Sequence, residues 1–274
     1  MIEHNLSGVM LGTVIGAILA LTGAGGGILA VPLLVFGLGL SIVQAAPVGL
    51  LAVGLAAAVG ALLGLRQGIV RYRAATFVSA IGMVAAPVGL YIAHRVPNQP
   101  LALVFSAVLL YASGRMLRKA VREIRHGQPL ARAESRPCVL NPLQGRLRWT
   151  LPCARALAIT GLLSGLLSGL LGVGGGFVII PALTRYTNLE MKSVVATSLA
   201  VIALVSVGSA TTAALAGVMQ WEVAIPFALG AVVGLTVGRQ VAQRLAGPRL
   251  QQAFSVVGML AALLLASTAL GFRL

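Results

Sequence analysis

Three consecutive glycines occur twice in the chain, at Gly25, Gly26 and Gly27 and again at Gly174, Gly175 and Gly176. Each triplet sits in strongly apolar sequence and is followed by a proline, Pro32 or Pro181. Glycine lets a ligand come close to backbone amides and adopts positive φ without a Cβ clash. Where such a run opens a helix, the first amides have no intrahelical acceptor and carry about half a positive charge from the helix dipole. That is chemistry for holding an anion, and the amides concerned would lie near Ile28 and Phe177. Neighbouring hydroxyls could add hydrogen bonds. Thr22 and Ser168 stand before the triplets, and Thr197 and Ser198 stand at the start of the next apolar segment, where helix capping is an equal alternative. Packing is the competing use of small residues: Gly161, Gly165 and Gly169 form one helical stripe, with Ser164, Ser168 and Gly172 beside it, suited to close helix contact.

The rest of the chain offers little for catalysis. There is no Asp, and Glu3, Glu123, Glu134, Glu190 and Glu222 fall at a terminus, in a loop or at a helix end. No carboxylate is therefore placed in mid-segment to relay protons or hold sodium. His94 stands alone at a segment end, and His4 and His126 lie outside the apolar segments. No catalytic residue, metal ligand or cofactor is expected. Cys138 and Cys153 have no partner ligands at metal spacing and are expected to be reduced, structurally idle thiols. A nucleotide-binding loop fails on context, because no strand precedes the glycines and no acidic residue follows about 20 positions on.

The elements that would position the triplets are membrane helices. Of 274 residues, 58% are hydrophobic and 9% charged, and the mean hydropathy is +0.99. Apolar runs at 49–65, 74–93, 101–111, 194–215, 223–237 and 254–270 approach the roughly 20 residues that a bilayer crossing needs. The expected fold class is an all-α integral membrane protein. The first apolar segment lacks a positive leader and a cleavage site and is expected to be retained.

A gapless offset of 149 residues relates the two halves. It places Gly25, Gly26, Gly27 and Pro32 on Gly174, Gly175, Gly176 and Pro181, Gly68 and Tyr72 on Gly217 and Trp221, and Phe105 on Phe254. Each repeat then reads as a Gly-broken helical hairpin followed by three transmembrane helices. The first repeat occupies residues 1–120, a basic linker 121–152, and the second repeat 153–274.

The net charge of +15 is concentrated rather than spread, with ten of the 20 Lys and Arg between Arg115 and Arg155. No nucleic-acid motif accompanies them, so the linker reads as a cytoplasmic loop, able to touch anionic lipid, and nucleic acid is not an expected partner. If each broken element returns to the side it entered, all but Arg95 and Arg273 of the basic residues fall on the linker side. The positive-inside rule therefore favours inverted repeats, with both termini outside, over a parallel duplication. In that arrangement the two triplets enter from opposite faces and meet near the midplane.

The paired triplets, each with its proline, together with "MKSVVATSLAVIALVSVGSA" after the second, resemble the sulfite exporter TauE/SafE family of membrane permeases. The resemblance covers nearly the whole chain outside the linker. It implies secondary transport of sulfite, organosulfonates or related small sulfur-containing anions across the bacterial inner membrane, in agreement with an anion site at helix ends. In one place the halves differ. Ala196, Thr197 and Ser198 match the family's hydroxyl-rich run, but the first half has Pro47, Val48 and Gly49 there, which makes the site chemically lopsided. The expected substrate-binding residues are Thr22, Gly25, Gly26, Gly27, Ser168, Gly174, Gly175, Gly176, Thr197 and Ser198. A passive anion channel is the alternative reading. A membrane-embedded enzyme is disfavoured because the spans contain no His, Cys, Asp or Glu cluster.

Overall fold

A computed structural model describes residues 2–22, 25–126, 137–141, 146–147, 150–245 and 248–270. Backbone amides in hydrocarbon must bond within their own segment, and among the described residues the chain forms ten α-helices. These are α1 (Ile2–Thr22), α2 (Gly25–Leu38), α3 (Ile42–Arg66), α4 (Tyr72–Arg95), α5 (Asn98–His126), α6 (Leu151–Leu171), α7 (Gly176–Tyr186), α8 (Met191–Leu215), α9 (Trp221–Leu245) and α10 (Pro248–Ala269). The linker adds one antiparallel pairing, β1 (Leu140–Asn141) with β2 (Arg146–Leu147). Seven helices, all but α1, α2 and α7, are long and apolar enough to cross a membrane. The protein is thus an all-α, multi-pass membrane protein.

The helix bounds carry the sequence offset. α6 and α8 begin and end 149 residues after α1 and α3. The packing exchanges partners in step, with α1 along α9, α6 along α4, and α3 paired with α8. Small residues make these contacts close. An added Cβ at Gly161, Gly165 or Gly169 would run into the carbonyl of Val78, Gly82 or Ala86 on α4. The stripe is therefore a packing surface, and its ascending register makes α4 and α6 parallel. Gly12 and Gly16 of α1 press in the same way on the carbonyls of Phe227 and Ala231 of α9. Across the centre, Gly54 faces Ser206, Gly60 faces Leu199 and Gly64 faces Ala196, so α3 and α8 run antiparallel.

Cys138 fixes the course of the second hairpin. It forms a disulfide with Cys153 in the first turn of α6, the two Cα atoms being 5.0 Å apart. Its amide donates to the Tyr186 carbonyl at the end of α7, at 3.0 Å. The start of α6 and the end of α7 therefore lie at one face, and the chain doubles back between them. Gly172 caps α6 in the left-handed conformation at φ +69. Three residues later Gly175 is already alongside Ser164, two turns inside α6. The 21 residues of α6 rise about 31 Å, whereas the 11 residues of α7 rise about 16 Å. The hairpin thus has one full-length arm and one arm that reaches about half-way through a hydrocarbon core of about 30 Å. In the first repeat Gly26 lies against Ile15 and Leu19, and Gly37 against Leu11, so α2 returns along α1.

Two expectations are corrected. Cys138 and Cys153 are not idle thiols: the linker folds back on the hairpin it precedes and brings them to bonding distance. The triplets are also not equivalent. Gly174 and Gly175 are left-handed, at φ +73 and +65, and precede α7. Gly25, Gly26 and Gly27 are the first three residues of α2, so Ile28 stands in its second turn rather than at its start. Glycine accepts both conformations, and the opposing helix decides between them.

Candidate functional site

The start of α2 meets the second break at mid-length of α3 and α8. A Cβ on Gly27 would strike the Val173 carbonyl of the opposite break. Over Gly174 lie Ile202 of α8 and Val53 and Leu50 of α3, the nearest atoms 3.1, 3.7 and 3.9 Å from where its Cβ would be. Gly172 abuts Ala46 of α3. The described state is closed around the breaks, and a small space beside them, lined by Ile28, Phe105, Leu171 and Phe177, is apolar. A charge has no counterpart in that space.

The polar groups gather at the second break. The amides of Val178 and Ile179 both turn onto the Gly175 carbonyl, at 3.0 and 3.2 Å. No side chain caps the helix start. The positive end of the α7 dipole is therefore left without a side-chain partner among the described residues. Facing this end, Ser164 and Ser168 occupy one face of α6, four residues apart, and both are fully buried. Among the described residues neither Oγ has a hydrogen-bond partner. A Cβ at position 175 would coincide with the Ser164 Oγ and come within 2.7 Å of its carbonyl. The Ser206 hydroxyl, against Gly54 in the α3–α8 contact, is likewise buried and unpartnered.

The expected residues sort into three groups. Gly174, Gly175, Gly176 and Ser168 are brought together. Gly26 and Gly27 reach the same region from the first repeat, but within a helix and against apolar neighbours, and Gly25 opens that helix. Thr22 ends α1, and its side chain lies outside the described set. Thr197 and Ser198 stand apart, closer to the linker face. The Thr197 Oγ1 accepts from the Arg71 amide at 3.0 Å and so ties the α3–α4 turn to α8, while Ser198 Oγ donates to the Val195 carbonyl at 2.8 Å. Neither caps α8, whose N-cap is Glu190.

Sequence reasoning missed Ser164, which it assigned to the edge of a packing stripe. A signal existed in the repeat offset. The positions that face the first break are Ile15 and Leu19, and the offset turns them into Ser164 and Ser168. In the sequence, Arg239 counts only as one of the basic residues on the linker side. Its guanidinium reaches between the helices and donates from Nη1 to the Gly60 carbonyl, at 3.3 Å.

A family model described as sulfite exporter TauE/SafE matches residues 8–265. A protein of Xylella fastidiosa strain Temecula1 named "Probable membrane transporter protein" is 29% identical over 242 residues, covering 87% of this chain and 85% of that protein. A protein of the same name from strain 9a5c is 28% identical over 236 residues, covering 85% of this chain and 83% of its own length. No solved structure matches.

Proposed function

The chain belongs to the sulfite exporter TauE/SafE family and is a membrane transporter, and from that premise we propose that it is a secondary carrier of small sulfur-containing anions such as sulfite or organosulfonates. The observation that carries this reading is the uncapped start of α7 at mid-depth, with buried, unpartnered hydroxyls opposite it. Unpaired donors in a low-dielectric interior cost free energy, and an oxyanion satisfies amide and hydroxyl donors together. Carboxylates would repel such a substrate, and the five Glu of the chain stand at ends and in loops.

The closed packing of Leu50, Val53 and Ile202 over the break supports movement by alternating access rather than a standing pore. One hairpin arm withdraws from α3 and α8 toward one face at a time. The doubled-back hairpins, together with the clustering of basic residues on the linker side, support inverted repeats with a cytoplasmic linker and both termini outside. The membrane in this reading is the bacterial inner membrane, and the linker's arginines lie against its anionic lipids.

The test is uptake of labelled sulfite into liposomes containing the purified protein. The reading requires saturable uptake that unlabelled sulfite or a short organosulfonate suppresses. Uptake that rises linearly with concentration and shows no competition would make the protein a channel.

A further inference from the structure

We propose that the protein has a single anion site, built entirely by its second repeat from the Ser164 and Ser168 hydroxyls and the first amides of α7, with the first repeat as an apolar wall. This rests on the anion-carrier reading and narrows it to one place. The ligand class is a small oxyanion able to accept several hydrogen bonds at once.

The helices that return from the two breaks meet their partner helices at positions related by the sequence offset, with opposite chemistry. Gly175 faces Ser164, and Gly26 faces the Ile15 carbonyl and the Leu19 side chain. Ile15 and Leu19 are fully buried, as Ser164 and Ser168 are. The second repeat therefore presents two hydroxyl donors where the first presents two hydrocarbon side chains. Gly26 and Gly27, the counterparts of Gly175 and Gly176, already belong to α2, and Gly26 is not left-handed as Gly175 is. In the second repeat, Gly174 and Gly175 turn the chain into α7, whose start no side chain caps and whose N-cap Gly175 lies on Ser164 of α6.

Buried hydroxyls without partners are uncommon because each keeps its desolvation cost without the compensating bond. A serine in a helix can usually bond back to the carbonyl four residues earlier, as Ser79 does to Ala75 at 2.7 Å. Ser164 and Ser168 make no such bond. They stay available, and in the closed state the Gly175 backbone packs directly on the Ser164 Oγ. When the tip of α7 lifts away from α6, an anion takes the place of that backbone between the hydroxyls and the Gly176 and Phe177 amides. The site thus has two occupants, backbone in the closed state and oxyanion in the open one.

Thermal unfolding of the purified, full-length protein with and without sodium sulfite tests this, in parallel for wild type, Ser164→Ala, Ser168→Ala and Leu19→Ala. For the two serine variants the anion-free midpoint stays level or rises, because an unpaired buried hydroxyl has been removed. Their half-maximal stabilisation by sulfite shifts about tenfold higher, the equivalent of 1.4 kcal/mol. Leu19→Ala lowers the anion-free midpoint, because buried hydrocarbon is removed, and its calorimetric titration still gives one sulfite per chain. Titration calorimetry on wild type gives one sulfite per chain. Serine variants that unfold earlier yet respond to sulfite like wild type, or two sulfites per chain, would overturn the single-site proposal while leaving the carrier reading intact. A wild type that no sulfur oxyanion stabilises would overturn both.

Discussion

Gly175→Ala isolates what the second break requires of its backbone. At φ +65 an L-residue is strained by about 1–2 kcal/mol. The new Cβ would also fall on the Ser164 Oγ and within 2.7 Å of the Ser164 carbonyl, and overpacking of that kind costs about 1–3 kcal/mol. Together these predict a loss of about 2–5 kcal/mol. Gly217→Ala supplies the strain alone, because Gly217 has φ +69 and nothing within 4 Å of its would-be Cβ, so its loss should stay at about 1–2 kcal/mol. At roughly 2–4 °C per kcal/mol for a chain of this size, the two melting midpoints separate by several degrees in detergent. Uptake per monodisperse molecule should separate them further, since the alanine methyl occupies the space between Ser164 and the α7 amides. If Gly175→Ala matches Gly217→Ala in both midpoint and uptake, the close approach of the two arms at Ser164 is not a feature of the working protein, and the reasoning from it fails.

Thr197→Val removes the acceptor of the Arg71 amide. It should lower stability by about 0.5–1.5 kcal/mol, the net worth of one hydrogen bond, with the sulfite dependence of a thermal-shift titration unchanged. Gly165→Leu should abolish monodisperse protein in size-exclusion chromatography, because Gly82 backbone of α4 fills the space its side chain needs. The Cys138–Cys153 bridge closes a loop of 15 residues, so Cys138→Ser should cost about 3 kcal/mol in protein purified under oxidising conditions. With the linker cytoplasmic, the same two cysteines should resist a membrane-impermeant maleimide on intact cells even after treatment with a membrane-impermeant reductant, and react once the membrane is opened and the pair reduced.

The architecture could be read from sequence wherever a pattern repeated or a periodicity was strict. α6 and α8 begin and end 149 residues after α1 and α3, the same spacing that separates the glycine triplets in sequence. Gly161, Gly165 and Gly169 lie on α4 as their spacing predicts, since a helix presents such residues on one face whatever lies opposite. The site was less legible because it depends on what each face meets. Two identical glycine triplets give no hint that one is helical and the other left-handed. That difference is set across the hairpin, where Ile15 and Leu19 face one break and Ser164 and Ser168 the other. Ser164 borders the stripe in sequence, and only the return of α7 shows that its hydroxyl faces the break. Thr197 looked available because no local pattern announces a bond to an amide 126 residues away. The disulfide was hidden for the same reason, as its closure needs the linker to fold back onto α6.

Counterflow in proteoliposomes tests the central claim most directly. With unlabelled sulfite trapped inside and labelled sulfite outside, a protein whose single closed site must reorient around its bound anion exchanges one for the other. The internal label should rise transiently above its equilibrium level, and Gly175→Ala should remove that overshoot. A wild-type protein that equilibrates labelled sulfite with no overshoot, at a rate unaffected by trapped sulfite, would contradict the account.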